Sequence, residues 1–329
     1  MFSYGIRPTR AASPRVGRCA VLIALWCATA ALGNAQDAPY RVAAKRILDD
    51  PAFHQWMQAT IALPAEKQVE AVSAKLKELN PGFDGQLTGI EGGSPDFEPG
   101  GVRAIRFWAC HVTDLSPLRA LSKLVNLRCD GSPEQPSKLC DLSPLQGLEL
   151  LACLSCDYTD VSDLSPLAEM PLSTLSCRHT RVTSLEPLRG RKLGSLRIDG
   201  TRIADLSPLA GMPIDLLSCS ETPVSNIAPL RGMPLVWLRL AFTEVADLSP
   251  LSESPKLLDL DISGTNVADL SPLNSPELRE LLCGGTKVSD LSPLFKVNWL
   301  RYVDIRNTKV NRTALRAFRK ALPRCGYSR

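Results

Sequence analysis

The sequence predicts an α/β solenoid, a stack of about ten short units that together build one parallel β-sheet, with helices over its N-terminal end. Two observations predict it. Of 51 leucines in the 329 residues, 41 fall between residues 101 and 300, about one residue in five of that stretch. Within the same stretch the chain repeats itself every 21–22 residues, a period that marks stacked repeat units. Length alone suggests about two domains, and the repeat replaces them with one continuous stack. At 44% apolar residues the chain has the composition of a folded protein.

The first 35 residues read as a secretory signal. Arg7, Arg10, Arg15 and Arg18 form a basic leader, Cys19–Leu32 is an apolar run, and Gly33-Asn34-Ala35 supplies small residues for cleavage after Ala35. The run is shorter than the ~20 residues of a spanning helix, although its flanks would also suit a retained anchor. Trp26 before Cys27 spoils a lipoprotein site, and no arginine pair suggests twin-arginine export. The expected localisation is therefore exported: periplasmic, cell-envelope or secreted, with no membrane span once the signal is removed. The net charge of +4 belongs to this leader, so the remainder carries 34 basic and 34 acidic residues. It also keeps nine of the eleven cysteines.

Residues 36–101 form the expected helical N-terminal cap and a loop. Pro64 opens a helix whose Val69, Val72, Leu76 and Leu79 share one face, and Asn80-Pro81-Gly82 stops it. A shorter helix before it holds Phe53, Trp56, Met57 and Ile61. A small independent domain is the alternative for this segment. Residues 91–101, rich in Gly and Pro, read as a loop.

Residues 102–310 carry the repeats, with the pattern Leu-x-x-Leu-x-(Cys/Ile/Leu)-x-x-Thr-x-Val-x-Asp-Leu-Ser-Pro-Leu. Its prolines run from Pro117 to Pro293 in steps of 21 or 22, apart from one step of 27 that places an insertion around Gly131–Lys138. Strand residues such as Leu196 and Ile198 face inward and their neighbours face the concave side. The Thr column, Thr159, Thr180, Thr201, Thr222, Thr243, Thr265, Thr286 and Thr308, offers hydroxyls to the backbone where each strand ends. Asp114, Asp141, Asp163, Asp205, Asp247, Asp269 and Asp290 stand where a carboxylate caps a tight turn. A tenth unit, Leu300–Val310, leads into residues 311–329, read as a C-terminal capping helix over Thr313–Leu322.

These units resemble the short leucine-rich repeats of the internalin type, which also end in Asp-(Leu/Ile)-Ser/Thr-Pro-Leu. The resemblance covers about residues 102–310, and Thr stands here where that family commonly has asparagine. The Thr-x-Val wording and the Met-Pro links (Met170-Pro171, Met212-Pro213, Met233-Pro234) also resemble repeat tails of bacterial serine/threonine kinases. So does the lead-in, Pro-Ala-Glu-Lys-Gln-Val-Glu-Ala-Val and Asn-Pro-Gly-Phe-Asp-Gly. The sequence lacks the Gly-rich loop, His-Arg-Asp and Asp-Phe-Gly motifs of a kinase domain.

No catalytic set, metal site or cofactor is expected. One carboxylate per strand makes a poor oxygen cage, and each Asp already has a turn to cap. Cys129, Cys156, Cys177, Cys219 and Cys283 share an inward position and read as small core hydrophobes, although adjacent strands would bring pairs within disulfide range. Cys153-Leu-Ser-Cys156 lies on a strand and lacks the helix start that activates a redox thiol. His54, His111 and His179 belong to no Ser-His-Asp or Cys-His set.

The remaining candidate is the concave face. Arg106, Arg128, Arg178, Arg197 and Arg239, with Trp108, Trp237 and Tyr302, face outward there and are of the types favoured at binding hot spots. Asp130, Asp157, Asp199, Asp259, Asp261 and Asp304 interrupt them, which argues against nucleic acid. The expectation is an exported, non-catalytic protein that recognises a protein, or a glycan, through this face. A regulatory or sensory partner descended from a kinase-linked tail, an architectural envelope component and an enzyme in the N-terminal segment are the alternatives. The sequence is silent on oligomeric state.

Overall fold

The computed structural model describes residues 47–90, 95–98 and 101–329. The expected signal peptide lies outside the described residues. Helix α1 (Pro51–Ile61) starts at Asp50, whose carboxylate accepts the Ala52 N–H, with Pro51 in the first turn. Helix α2 (Ala65–Leu79) follows Pro64 and buries Val72 and Leu76. Both helices pack on the first repeat, and Val72 and Leu76 belong to the same apolar cluster as the repeat leucines.

Ten strands follow the predicted units: β2 (Gly101–Trp108), β3 (Asn126–Asp130), β4 (Cys153–Ser155), β5 (Thr174–Ser176), β6 (Ser195–Arg197), β7 (Leu216–Ser218), β8 (Trp237–Arg239), β9 (Asp259–Asp261), β10 (Glu280–Leu282) and β11 (Tyr302–Asp304). They pair in parallel and in chain order, and Leu196, Leu217 and Leu238 stand in register on adjacent strands. All three are fully buried. Each Ser-Pro-Leu segment makes a short 3-10 turn, as at Ser207–Leu209, or a plain turn, as at Ser271–Leu273, instead of a longer helix. A 21-residue unit leaves no room for more than a turn on its outer side.

The sheet has two further strands that the sequence reading missed. Residues 96–98, expected as loop, form β1 (Asp96–Glu98), which pairs antiparallel with β2. At the far end, helix α3 (Arg312–Ala321) is followed by β12 (Gly326–Ser328), parallel to β11, where the sequence reading had only a capping helix. A row of open N–H and C=O groups at a sheet edge recruits any available backbone, so the flanking segments cover both ends of the stack. Twelve strands at ~4.8 Å spacing make a sheet about 50 Å across.

The polar columns do what their positions imply. Every hydroxyl of the Thr column from Thr159 to Thr308 donates to the carbonyl three residues back, at 2.6–2.8 Å. The turn aspartates from Asp114 to Asp290 each accept the N–H two residues on, at 2.7–2.8 Å. The Thr bonds close the chain after β4 to β11, and the Asp bonds hold the turn on the outer side of seven repeats, with Ser184 and Asn226 taking the same place in two others.

The five column cysteines are buried, and all nine cysteines among the described residues are free thiols. Cys129 donates to Ser155 O (3.4 Å) and Cys283 to Asp304 O (3.1 Å), so these thiols also bridge neighbouring strands. Burial pushes the Cys177 and Cys283 thiols up to about 12, and raises Cys129, Cys156 and Cys219 well above the ordinary range. The thiolate is the reactive form, so the column should be inert in the folded protein. Iodoacetamide at pH 8 is expected to spare all five in native protein and to label them in urea. An alkylated column cysteine in the native mass spectrum would refute this burial.

Candidate functional site

The solvent face of the sheet has three rows. The first holds Trp237, Asp259, Glu280 and Tyr302 in register on β8 to β11. The middle row holds Arg106 and Arg128, then Ser155, Ser176, Arg197, Ser218, Arg239 and Asp261. The third, two residues further along each strand, holds Trp108 and Asp130 in register, then Asp157, Arg178 and Asp199. The eight expected site residues therefore face one side but do not form one cluster.

Arg106, Trp108 and Arg128 share β2 and β3, and the Arg106 guanidinium lies 4.7 Å from the Trp108 ring centre. Arg197 lies two strands from Arg239, with Ser218 between them. Burial first, and then the charge of Arg178, lower the Arg197 pKa from its ordinary value. Tyr302 stands three strands from Trp237, and its hydroxyl is 2.7 Å from Ser328 Oγ. That contact ties β11 to β12 and gives Tyr302 a structural task.

Arg178 is not a free cation. Its Nε and a terminal nitrogen reach Asp157 Oδ2 at 2.8 and 2.7 Å. Asp157 Oδ1 meanwhile accepts the Ser176 hydroxyl (2.6 Å) and the Arg178 N–H (2.8 Å). The same clip recurs at Asp130, which takes the Ser155 hydroxyl and the Asp157 N–H, and at Asp199, which takes the Ser218 hydroxyl and the Ser220 N–H. Three of the six interspersed acids, Asp130, Asp157 and Asp199, thus join one strand to the next. Away from the insertion each such serine lies nineteen residues after its aspartate, a spacing that pairs them only once the units are stacked.

The other end of the face is different. Trp237 remains 43% exposed on a central strand. With Arg239, Asp259, Asp261, Glu280 and Leu282 it lines a cavity of about 210 Å³ across β8, β9 and β10. Trp237 and Asp259 stand in register on β8 and β9, and the indole side chain acts to lower the Asp259 pKa. Burial nonetheless raises the Asp259 pKa, and burial and the Asp259 charge raise Glu280. Glu280 and Leu282 escaped the sequence reading because a lone acid and a leucine on a strand carry no motif.

A second row of rings escaped it too. Where each strand turns, Tyr158, His179, Glu221, Phe242 and Asn307 take left-handed backbone (φ 53–58°), while Gly200, Gly264 and Gly285 fill the equivalent positions. Tyr158 and His179 stack at 4.5 Å. A Cβ on Gly200 would lie 2.2 Å from His179, and one on Gly264 would lie 2.6 Å from the Phe242 ring, so the glycines make room for the ring before them. Phe242 is 66% exposed, in a conformation that costs a non-glycine residue roughly 1–2 kcal/mol.

Among the described residues no group of three His, Cys, Asp or Glu is placed to hold a metal ion, and no helix is long and apolar enough to cross a membrane.

No protein-family model matches the sequence, and no curated protein matches it either. Solved structures do. The internalin InlF of Listeria monocytogenes is 25% identical, with 65% of this chain covering 70% of that one at a TM-score of 0.55. The ectodomain of the plant receptor kinase GASSHO1/SCHENGEN3 from Arabidopsis thaliana, in complex with CASPARIAN STRIP INTEGRITY FACTOR 2, superposes with a TM-score of 0.53 at 14% identity. There 68% of this chain covers 29% of the receptor chain. Drosophila Toll, in its complex with Spatzle, gives 0.51 at 12% identity, with 60% of this chain on 29% of that chain. With the 21-residue unit, the ordered strand ladder and the buried leucine columns already in place, these likenesses show that the chain has the leucine-rich repeat fold, similar to that of an internalin.

Proposed function

We propose that the protein is exported and non-catalytic, and that it recognises a protein partner through the open face of its sheet around β8 to β10. The coarser statement, a protein–protein recognition scaffold, rests on the fold and its neighbours. The observation that carries the finer one is Trp237. A large aromatic ring held half-exposed on a central strand, beside a cavity and within a polar rim, has the make-up of a binding hot spot. Elsewhere on the face the acids are consumed by strand-to-strand clips, by Arg178 and, at Asp304, by Arg306.

Immobilised full-length protein without its first 35 residues, exposed to cell-envelope extract, is expected to retain a defined protein. Trp237→Ala should lower that capture about tenfold or more, the effect of a hot-spot truncation. Trp299→Ala, which removes an even more exposed indole from the connection before β11, should not. Equal capture by wild type and Trp237→Ala would overturn the assignment of this face. Export has its own test. The mature protein should begin at Gln36, and a cytoplasmic protein that keeps Met1 would contradict it.

A further inference from the structure

The cavity on β8 to β10 has a chemical preference, which follows from the charges that line it and the ones that are missing. Trp237, Asp259 and Glu280 stand in direct register on three adjacent strands, about 4.8 Å apart, and Asp261 stands beside them in the middle row. Three carboxylates thus face one guanidinium, that of Arg239. Among the described residues none of these four groups enters an ion pair within 4 Å, in contrast to Asp157, Asp304 and Glu186 elsewhere. Asp261 accepts the Ser263 N–H, whereas Asp259 and Glu280 face the cavity with their pKa raised by burial. Arg279, just before Glu280, lowers the Asp259 pKa but does not line the cavity. Partly desolvated carboxylates that outnumber their one cation, next to the π face of an exposed indole, suit a planar cation that can stack and donate at once.

We propose that this cavity is the seat of an arginine side chain of the protein partner. The guanidinium lies on the Trp237 ring and donates to Glu280 and Asp261, and its methylene stem runs over Leu282. Asp259 flanks the indole from the neighbouring strand, in register with Trp237. Arg239 opposes the ligand charge and limits the site to a single cation. This assignment deepens the recognition reading and rests on it.

The test uses the same protein, its Trp237 indole N–H resonance identified by its loss in Trp237→Ala. The probes are Nα-acetylarginine amide and its neutral isostere Nα-acetylcitrulline amide, titrated to tens of millimolar. The arginine probe should shift the Trp237 resonance saturably and the citrulline probe should not. Glu280→Gln and Asp261→Asn should each weaken arginine binding about threefold, the scale of a partly solvated ion pair. Arg239→Ala should strengthen it, which a structural or direct-contact role for Arg239 would not produce. Glu280→Gln should leave the melting temperature unchanged or higher, because Glu280 has no cation partner to lose. Equal shifts from both probes, indifference to Glu280→Gln, or weaker binding in Arg239→Ala would overturn the arginine assignment. If extract capture still depends on Trp237 in that case, the recognition face stands and only its chemistry is wrong. Selective arginine binding with capture that ignores Trp237 would remove the recognition reading instead.

Discussion

Asp157→Ala should cost about 2–4 kcal/mol of folding stability, the largest loss expected from any residue on the open face. Asp157 is almost fully buried and accepts three hydrogen bonds, from the Arg178 Nε, the Arg178 backbone N–H and the Ser176 hydroxyl, and a terminal guanidinium nitrogen lies 2.7 Å from its Oδ2 as an ion pair. Truncation leaves the serine hydroxyl and a backbone N–H unpaired in the sheet, each worth about 1–3 kcal/mol when orphaned. The Arg178 side chain is 42% exposed and recovers part of its share from water, which keeps the total below that of a fully buried pair. Asp157→Asn keeps an acceptor for Ser176 and loses the charge, so it should fall between. Urea melts of the two variants, in a double-mutant cycle with Arg178→Ala, measure the partition. A loss below about 1 kcal/mol for Asp157→Ala would mean that the clip is decoration on a sheet its leucines already hold.

Asn80→Ala should cost a similar 2–4 kcal/mol, in a different place. The sequence marks Asn80 only as the end of a helix. In the fold its carboxamide is buried and binds at both ends: Oδ1 accepts the Thr113 and Asp114 N–H groups at 2.8 and 2.9 Å, and Nδ2 donates to Leu76 O and Asp114 O at 2.9 and 3.0 Å. One side chain therefore joins the end of α2 to the turn of the first repeat. Hydrogen exchange should show α1 and α2 losing protection first, with β5 to β10 little changed, since each repeat contacts chiefly its neighbours. Asn80→Asp should not rescue, because the carboxylate would face the two carbonyls that Nδ2 now bonds. Uniform loss of protection along the chain would instead show that the helices and repeats unfold as one unit.

These two side chains also mark where reading the sequence stops. The Asp of each Asp-Leu-Ser-Pro-Leu turn was legible because its partner lies two residues away, and the Thr column because its carbonyl lies three residues back. Asp157 and Ser176 are nineteen residues apart, and Asn80 and Asp114 thirty-four, so their pairing exists only once units are stacked in register. The eight outward residues were legible as outward from the alternation of strand faces. Their division into an arginine–tryptophan pair at one end, an ion-paired Arg178 in the middle and an acidic, tryptophan-lined cavity further on was not.

The sequence by itself determined the period, the strand-and-turn unit, the inward leucine and cysteine columns and the polar residues that close each turn, because all of these are satisfied within one unit or by stacking identical units. Tertiary structure alone decided three things. It chose which segments cover the open sheet edges, since β1 and β12 are held by the unpaired backbone beside them more than by their own residues. It chose which charges on the open face are neutralised, since that depends on whether a neighbouring strand brings a partner within reach. And it left Glu280 and Asp261 without an ion pair beside Trp237, the place on this surface where a partner's charge is still missing.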